Sequence, residues 1–172
     1  MQNIEFSLDN LSPKNFLPKI EVDSIAYIDI AYLEKLGIKG LIFDVDNTLC
    51  GYRGNSVDET VKENFELLKN RFNTCIVTNT DEERRKSLEK GFGIKVVQNK
   101  KKKPSPWPYL DAMNYMKTLP KETAMIGDRY LTDVVGANKL GIHSIRVKPL
   151  YPETSPLAIK LARAFEEVWY GR

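Results

Sequence analysis

L-I-F-D-V-D-N-T-L, residues Leu41 to Leu49, sets a short apolar run directly before two carboxylates spaced i and i+2 and a small hydroxyl residue. Leu41, Ile42 and Phe43 read as a strand buried on both faces, because nothing polar alternates with them, and Asp44 to Thr48 as the loop that leaves it. Carboxylates at the carboxyl end of a parallel strand stand where open α/β sheets place their ligands. Two of them this close repel each other, and a divalent cation relieves that repulsion. Taken alone, D-x-D also suits a solvated Asx turn, so the rest of the chain has to decide.

Upstream, Pro13 and Pro18 keep the lead-in extended or irregular, and Asp29 to Leu36 reads as a short helix stopped by Gly37 and Gly40. Downstream, a capping box of Ser56 with Glu59 opens a helix whose Val61, Phe65, Leu68 and Phe72 form an apolar stripe. Thr74 to Thr78 is a second buried strand, and Thr80 with Glu83 caps a helix that ends at Gly91. Ile94 to Val97 is a short third strand. After a lysine run, Ser105 and Pro106 start a helix reaching about Leu119. Thr123 to Gly127 is a fourth strand, Thr132 to Leu140 a helix closed by Gly141, and His143 to Val147 a fifth strand. Pro156 begins a terminal helix. Strand and helix alternate throughout, so the fold class is α/β with a parallel sheet of about five strands.

A chain of 172 residues fits one domain with a substantial core, and a net charge of +3 is too mild to argue for nucleic acid. The two cysteines, Cys50 and Cys75, form no C-x-x-C pair, which removes a zinc site and a disulfide framework from consideration. Cys75 lies in an apolar run and reads as buried, whereas Cys50 follows the carboxylate loop and is a candidate reactive thiol. No segment reaches the length of a transmembrane helix. The first thirty residues hold Glu5, Asp9, Glu21 and Asp23 and no arginine, unlike a signal peptide or a mitochondrial presequence. The expectation is a cytoplasmic protein, with peripheral contact on the inner face of a membrane as a further option.

Four polar clusters each follow an apolar strand or open a helix. The first is Asp44 and Asp46. The second is Thr78-Asn79-Thr80, where hydroxyl, amide and backbone N–H groups at a helix start suit a phosphate. The third is Lys103-Pro104, a point charge at a helix entrance. The fourth runs from Gly127 through Asp128 to Asp133 and supplies two more hard oxygen ligands. Each has a bland reading as a cap, a strand end or a solvated loop, but their order is specific. D-x-D-x-T, a strand ending in T-N, K-P and G-D-x-x-x-x-D resembles the haloacid dehalogenase (HAD) superfamily of phosphohydrolases, with all its motifs between Asp44 and Asp133. A response-regulator receiver domain uses similar groups, but there Thr and Lys come last; here Lys103 precedes the final acidic pair. The dehalogenases proper lack the second Asp, so Asp46 points to phosphate chemistry.

The resemblance implies a Rossmann-like three-layer sandwich and a role for each residue. Asp44 is the nucleophile that forms an aspartyl-phosphate, and Asp46 the acid and then the base, with its carbonyl on the metal. Thr78 and Lys103 hold the transferred phosphoryl group, with Asn79 also near it. Mg²⁺ is the implied cofactor, ligated by Asp44, Asp46 and Asp128, with Asp133 acting through water or by orienting its neighbours. The intervals Asp46 to Thr78 and Thr78 to Lys103 are too short for a cap domain. The expected organisation is one domain over 1–172, with an extension (1–39), a catalytic core (40–148) and a terminal helix (149–172).

The chain also resembles one subgroup, the YqeG family of subclass IIIA HAD phosphatases. The matching residues are F-L-P-K at Phe16 to Lys19, L-G-I-K-G-L-I-F-D-V-D-N-T-L at Leu36 to Leu49 and K-K-P at Lys102 to Pro104. I-G-D-R-Y-L-T-D-V-V-G-A-N at Ile126 to Asn138 and K-P-L at Lys148 to Leu150 complete them. That family is similar to phosphatases that convert phosphatidylglycerophosphate to phosphatidylglycerol, so the resemblance implies a phosphorylated lipid headgroup as substrate. Thr78 and Thr80 depart from it, standing where Ser and Asn are common, as does P-S-P-W-P after Lys103. A phosphatase for a soluble phosphomonoester or phosphoprotein, and a non-catalytic binding module on the same scaffold, are the alternatives.

Leu157, Leu161, Phe165 and Val168 form a stripe on the terminal helix beside Trp169 and Tyr170, with Lys160 and Arg163 off it. The simpler expectation is an ordinary helix packed on the sheet. With the lysine run, the stripe also suits a surface that meets anionic lipid.

Overall fold

The computed structural model describes residues 16–54 and 56–170; the expectation for Pro13 lies outside them. The elements are β1 (Ile20–Val22), α1 (Ile30–Lys35), β2 (Gly40–Phe43), α2 (Glu59–Arg71), β3 (Asn73–Ile76) and α3 (Glu82–Phe92). They continue with α4 (Trp107–Met116), β4 (Thr123–Gly127), α5 (Val135–Asn138), β5 (His143–Val147) and α6 (Leu157–Tyr170). The strands form one parallel sheet in the order β1-β5-β4-β2-β3.

The apolar residues of β2 divide between two cores. Leu41 and Phe43 join Ile25, Leu33, Val61, Phe65 and Leu68 on one face of the sheet. Ile42 joins Tyr109, Ala112, Met113 and Ala137 on the other. A helical layer therefore covers each face, giving the Rossmann-like sandwich, and explains why the strand carries no alternating polar residues. β2 has β3 on one side and β4 on the other, so the chain leaves it in both directions. This is a topological switch point, and ligands bind at the carboxyl ends of the strands there.

Two expectations about the elements change. Ile94 to Val97 contributes a single bridge, Val96 to Ile76, rather than a strand. Gly93 closes α3 in a left-handed conformation just before it, and β3 ends at Ile76, so no second residue pair forms. The fifth strand is instead β1, which pairs Ile20, Glu21 and Val22 with Ile145, Arg146 and Val147. The two helix caps also shift. Asp58 accepts from the Thr60 N–H and Asp81 from the Arg84 N–H, in place of Ser56 and Thr80. A carboxylate at this position adds a favourable interaction with the helix dipole to the hydrogen bond.

Candidate active site

Phe43 and Ile126 are partners on adjacent strands, so Asp44 and Asp128 emerge side by side, and the Asp44 N–H donates to the Ile126 carbonyl at 2.8 Å. Asp133 reaches the same point from the segment that follows β4. That segment is a wide π-type turn over Tyr130–Val134 before α5, not the regular helix expected from Thr132. Such turns recur at functional sites because the extra residue re-aims a side chain. The Tyr109 hydroxyl donates to the Thr132 carbonyl and anchors the turn from the helical layer. Asp44, Asp128 and Asp133 are all buried, and each offers a carboxylate oxygen within 4.8 Å of the others.

Lys103 lies between two of them. Its Nζ donates to Asp44 Oδ1 and to Asp133 Oδ1, both at 2.6 Å. Burial alone would push the ammonium down, but Asp133 and Asp44 outweigh it and hold Lys103 above its ordinary value. Burial raises Asp133 above the usual carboxylate range against the pull of Lys103. It pushes Asp128 to about 7, helped by Asp44 and Asp133 and opposed by Arg163. The cluster thus carries more buried negative charge than its cations neutralise.

Asp46 is less buried. Its Oδ1 accepts from the Arg53 N–H at 2.8 Å and from Arg84 Nη2 at 2.6 Å. Burial and the nearby Asp44 raise its pKa, opposed by the hydrogen bond from the Arg53 N–H and by the Arg84 and Lys103 cations. Thr78 stands at the wall of a cavity of about 210 Å³ that Asp44, Asp46, Lys103 and Asp128 also line. Asn79 lines it too, but both ends of its side chain are engaged with the main chain of Lys103. Its Oδ1 accepts from the Lys103 N–H at 2.8 Å and its Nδ2 donates to the Lys103 carbonyl at 3.0 Å. Asn79 therefore positions Lys103. Asn47 shapes the loop, and its Oδ1 accepts from the Tyr151 N–H at 3.1 Å. Asn47 takes a left-handed φ of 63° and ties the loop to the terminal segment through Ser155, at 3.1 Å.

Cys50 is not a reactive thiol. It is fully buried beside Asp46, and burial with that negative charge pushes it to about 11.

Nothing in the sequence pattern singles out the arginines of the site. Arg84 is buried although charged, and Arg163 donates from Nε and Nη2 to Asp128 Oδ2 at 3.0 and 2.6 Å. Arg53, Arg129 and Arg163 all line the cavity. Arg163 lay off the apolar stripe of its helix, which signals a polar face but not its target.

Gly127 makes the arrangement possible. A Cβ there would stand 2.6 Å from the Asp133 Cβ and closer still to its carboxyl group. Gly127→Ala is expected to displace Asp133 and to cost about 1–3 kcal/mol in urea unfolding, with activity falling further than stability explains.

The order of motifs, their geometry and the comparisons with known proteins agree. The family described as mitochondrial PGP phosphatase matches residues 3–149. The chain belongs to this family. As a member of this PGP phosphatase family it is a HAD-type phosphatase, and its substrate is phosphorylated. It is 33% identical over 138 residues, 80% of each chain, to a probable phosphatase, YqeG, of Bacillus subtilis. It is 28% identical over 160 residues to phosphatidylglycerophosphate phosphatase 1 of Arabidopsis thaliana, covering 87% of this chain and 46% of that one. In fold it is similar to a HAD phosphatase from Thermococcus onnurineus, with a TM-score of 0.52 at 15% identity over 67% of this chain and 96% of that one. Neither interval between the motifs holds a cap domain among the described residues. Among the described residues, Asp46 to Thr78 holds a loop, α2 and β3, and Thr78 to Lys103 holds α3 and an extended stretch.

Proposed function

We propose that this phosphatase uses Mg²⁺ and an aspartyl-phosphate on Asp44 to convert phosphatidylglycerophosphate to phosphatidylglycerol, as one capless domain working at a lipid surface. The observation that carries the reading is the buried group of Asp44, Asp128 and Asp133 around Lys103 at the switch point of the sheet. The donor set fits the ion: among the described residues the converging ligand groups are carboxylates, with no Cys or His in the cluster, and hard oxygen ligands select Mg²⁺ over softer metals. Asp44, the Asp46 carbonyl and Asp128 would hold it, with Asp133 behind them. Bound there, Mg²⁺ would offset the repulsion between an anionic nucleophile and an anionic substrate.

The residues supply the remaining chemistry. An Asp44 carboxylate oxygen attacks phosphorus, and the bond to the leaving oxygen breaks. Asp46 gives that oxygen its proton, then takes one from the water that releases phosphate and regenerates Asp44. Lys103 and Thr78 balance the charge of the phosphoryl group in flight. Lipid as the source of the phosphate is supported by the relatives' activity and by the open, capless cavity, which leaves room for a headgroup still anchored in a membrane. Among the described residues no helix is long and apolar enough to cross a membrane.

Phosphate release from phosphatidylglycerophosphate in mixed micelles, run beside soluble sugar phosphates and nucleotides with and without EDTA, tests the proposal. The lipid should be preferred by orders of magnitude in kcat/KM, and EDTA should abolish turnover. Equal or better turnover of a soluble ester would overturn the lipid assignment.

Arg84 offers a second check. Asp46 protonates the leaving oxygen only in its acid form, and the Arg84 cation pulls its pKa down. In Arg84→Met that pull is gone, so the alkaline limb of the kcat profile should move to higher pH, and the acidic limb, which needs the base form, should move with it.

A further inference from the structure

The terminal helix is mounted with its polar face inward, contrary to the expectation of an apolar stripe packed on the sheet. Arg163 pairs with Asp128, Glu166 with Arg129 at 2.5 Å, and Glu167 with Arg146. Ser155, just before the helix, accepts from Arg163 Nη1 at 2.8 Å and from Asn47 Nδ2 at 3.1 Å. These ties fix the rotation of α6 about its axis. The apolar arc of Leu157, Leu161, Phe165, Val168 and Trp169 therefore faces outward, from 53% exposed at Phe165 to 82% at Val168. Five large apolar side chains in one exposed arc make a patch of the kind that marks an interaction surface.

We infer that this arc of α6 docks the enzyme on an anionic lipid bilayer and holds the cavity mouth against it. Location is the first argument. Ile159 and Arg163 of the same helix line the cavity, so whatever covers the outer face of α6 lies about one helix diameter, roughly 10 Å, from Asp44 and Asp128. Charge is the second. Lys160 is exposed on the helix, and Lys100, Lys101 and Lys102 are exposed in the loop before Lys103. Lys100 lines a second depression that shares Thr78 and Thr80 with the first, so the lysine loop borders the cavity on the side away from α6. Protein interfaces are depleted in lysine, whereas helices that lie in a membrane interface combine an apolar face with lysines that meet anionic headgroups. The apolar arc and the lysine loop thus bracket the mouth, and an acidic bilayer satisfies both. The identity of the lipid delivered to the cavity rests on the function proposed above; the docking itself does not.

Co-sedimentation with vesicles of phosphatidylcholine alone, or with about 30 mol% phosphatidylglycerol added, reads the docking directly. Trp107→Phe leaves Trp169 as the sole tryptophan and reports its surroundings. The protein should pellet with the acidic vesicles and less in high salt, and Trp169 emission should shift to the blue. Leu161→Ser combined with Phe165→Ser should raise the lipid concentration for half-binding by about tenfold or more. Turnover of a soluble aryl phosphate by that variant should stay unchanged, which shows that the fold survives. Unaltered vesicle binding by the double variant, or Trp169 emission indifferent to acidic vesicles, would overturn the inference. So would a dimer in sedimentation velocity that the double variant dissolves, because the arc would then bind a second copy. If acidic vesicles bind but phosphatidylglycerophosphate is not hydrolysed, the substrate assignment fails and the docking stands. If micellar lipid is hydrolysed without vesicle binding, the reverse holds.

Discussion

Asp44→Asn is expected to lower kcat by about 10⁴-fold or more, because an amide oxygen cannot replace the nucleophilic carboxylate. The same change should barely affect folding. Asp44 attracts Lys103 at 2.6 Å but also adds to the negative charge around Asp46, Asp128 and Asp133. Losing the attraction and losing the repulsion offset each other, so the thermal midpoint should move by less than about 4 °C. Phosphate release and a melting curve on the purified variant check both halves. A variant that is inactive because it is unfolded would not support the assignment.

Lys103→Met is expected to fail in the opposite pattern, losing stability and activity together. Lys103 is the cation between two buried carboxylates, and its removal leaves Asp44 and Asp133 facing each other, unneutralised, at the buried floor of the cavity. Deleting one partner of a buried ion pair costs about 3–5 kcal/mol, or roughly 10 °C in Tm for a domain of this size. Turnover should fall by about 10²–10³-fold with the loss of charge stabilisation on the phosphoryl group. Millimolar Mg²⁺ should restore part of the melting temperature in Lys103→Met but no such fraction of the activity. A Lys103→Met protein as stable as the parent without Mg²⁺ would contradict the electrostatic account of the site.

Much of this was legible in the residues because it is local. The run Leu41 to Phe43 is apolar on both faces, and it is buried by helical layers on both faces. Each motif residue stands at the end of a strand or the start of a turn, where sequence order alone predicts convergence on one edge. What was not legible depends on contacts distant along the chain. β1 is three residues, Ile20 to Val22, too short for alternation to show, and its partners on β5 lie 125 positions away. Ile94 to Val97 has the composition of a strand, but a neighbouring strand that stops at Ile76 leaves it one bridge. Arg84 and Arg163 look like surface charges on amphipathic helices until Asp46 and Asp128 are placed beside them. The stripe on α6 is legible as a face, but which way it turns depends on its polar side finding Asp128, Arg129 and Arg146, and composition alone favours the core.

The central claim is that Asp44 carries the phosphoryl group. Acid quenching of a turnover mixture with ³²P-labelled substrate, followed by borohydride reduction of the acyl phosphate, tests it most directly. The account predicts label bound to the protein only when Mg²⁺ is present, conversion of position 44 to homoserine on reduction, and neither in Asp44→Asn. Steady phosphate release with no labelled protein at any quench time, or turnover that persists in Asp44→Asn, would mean that water attacks the substrate directly and that Asp44 is not the nucleophile.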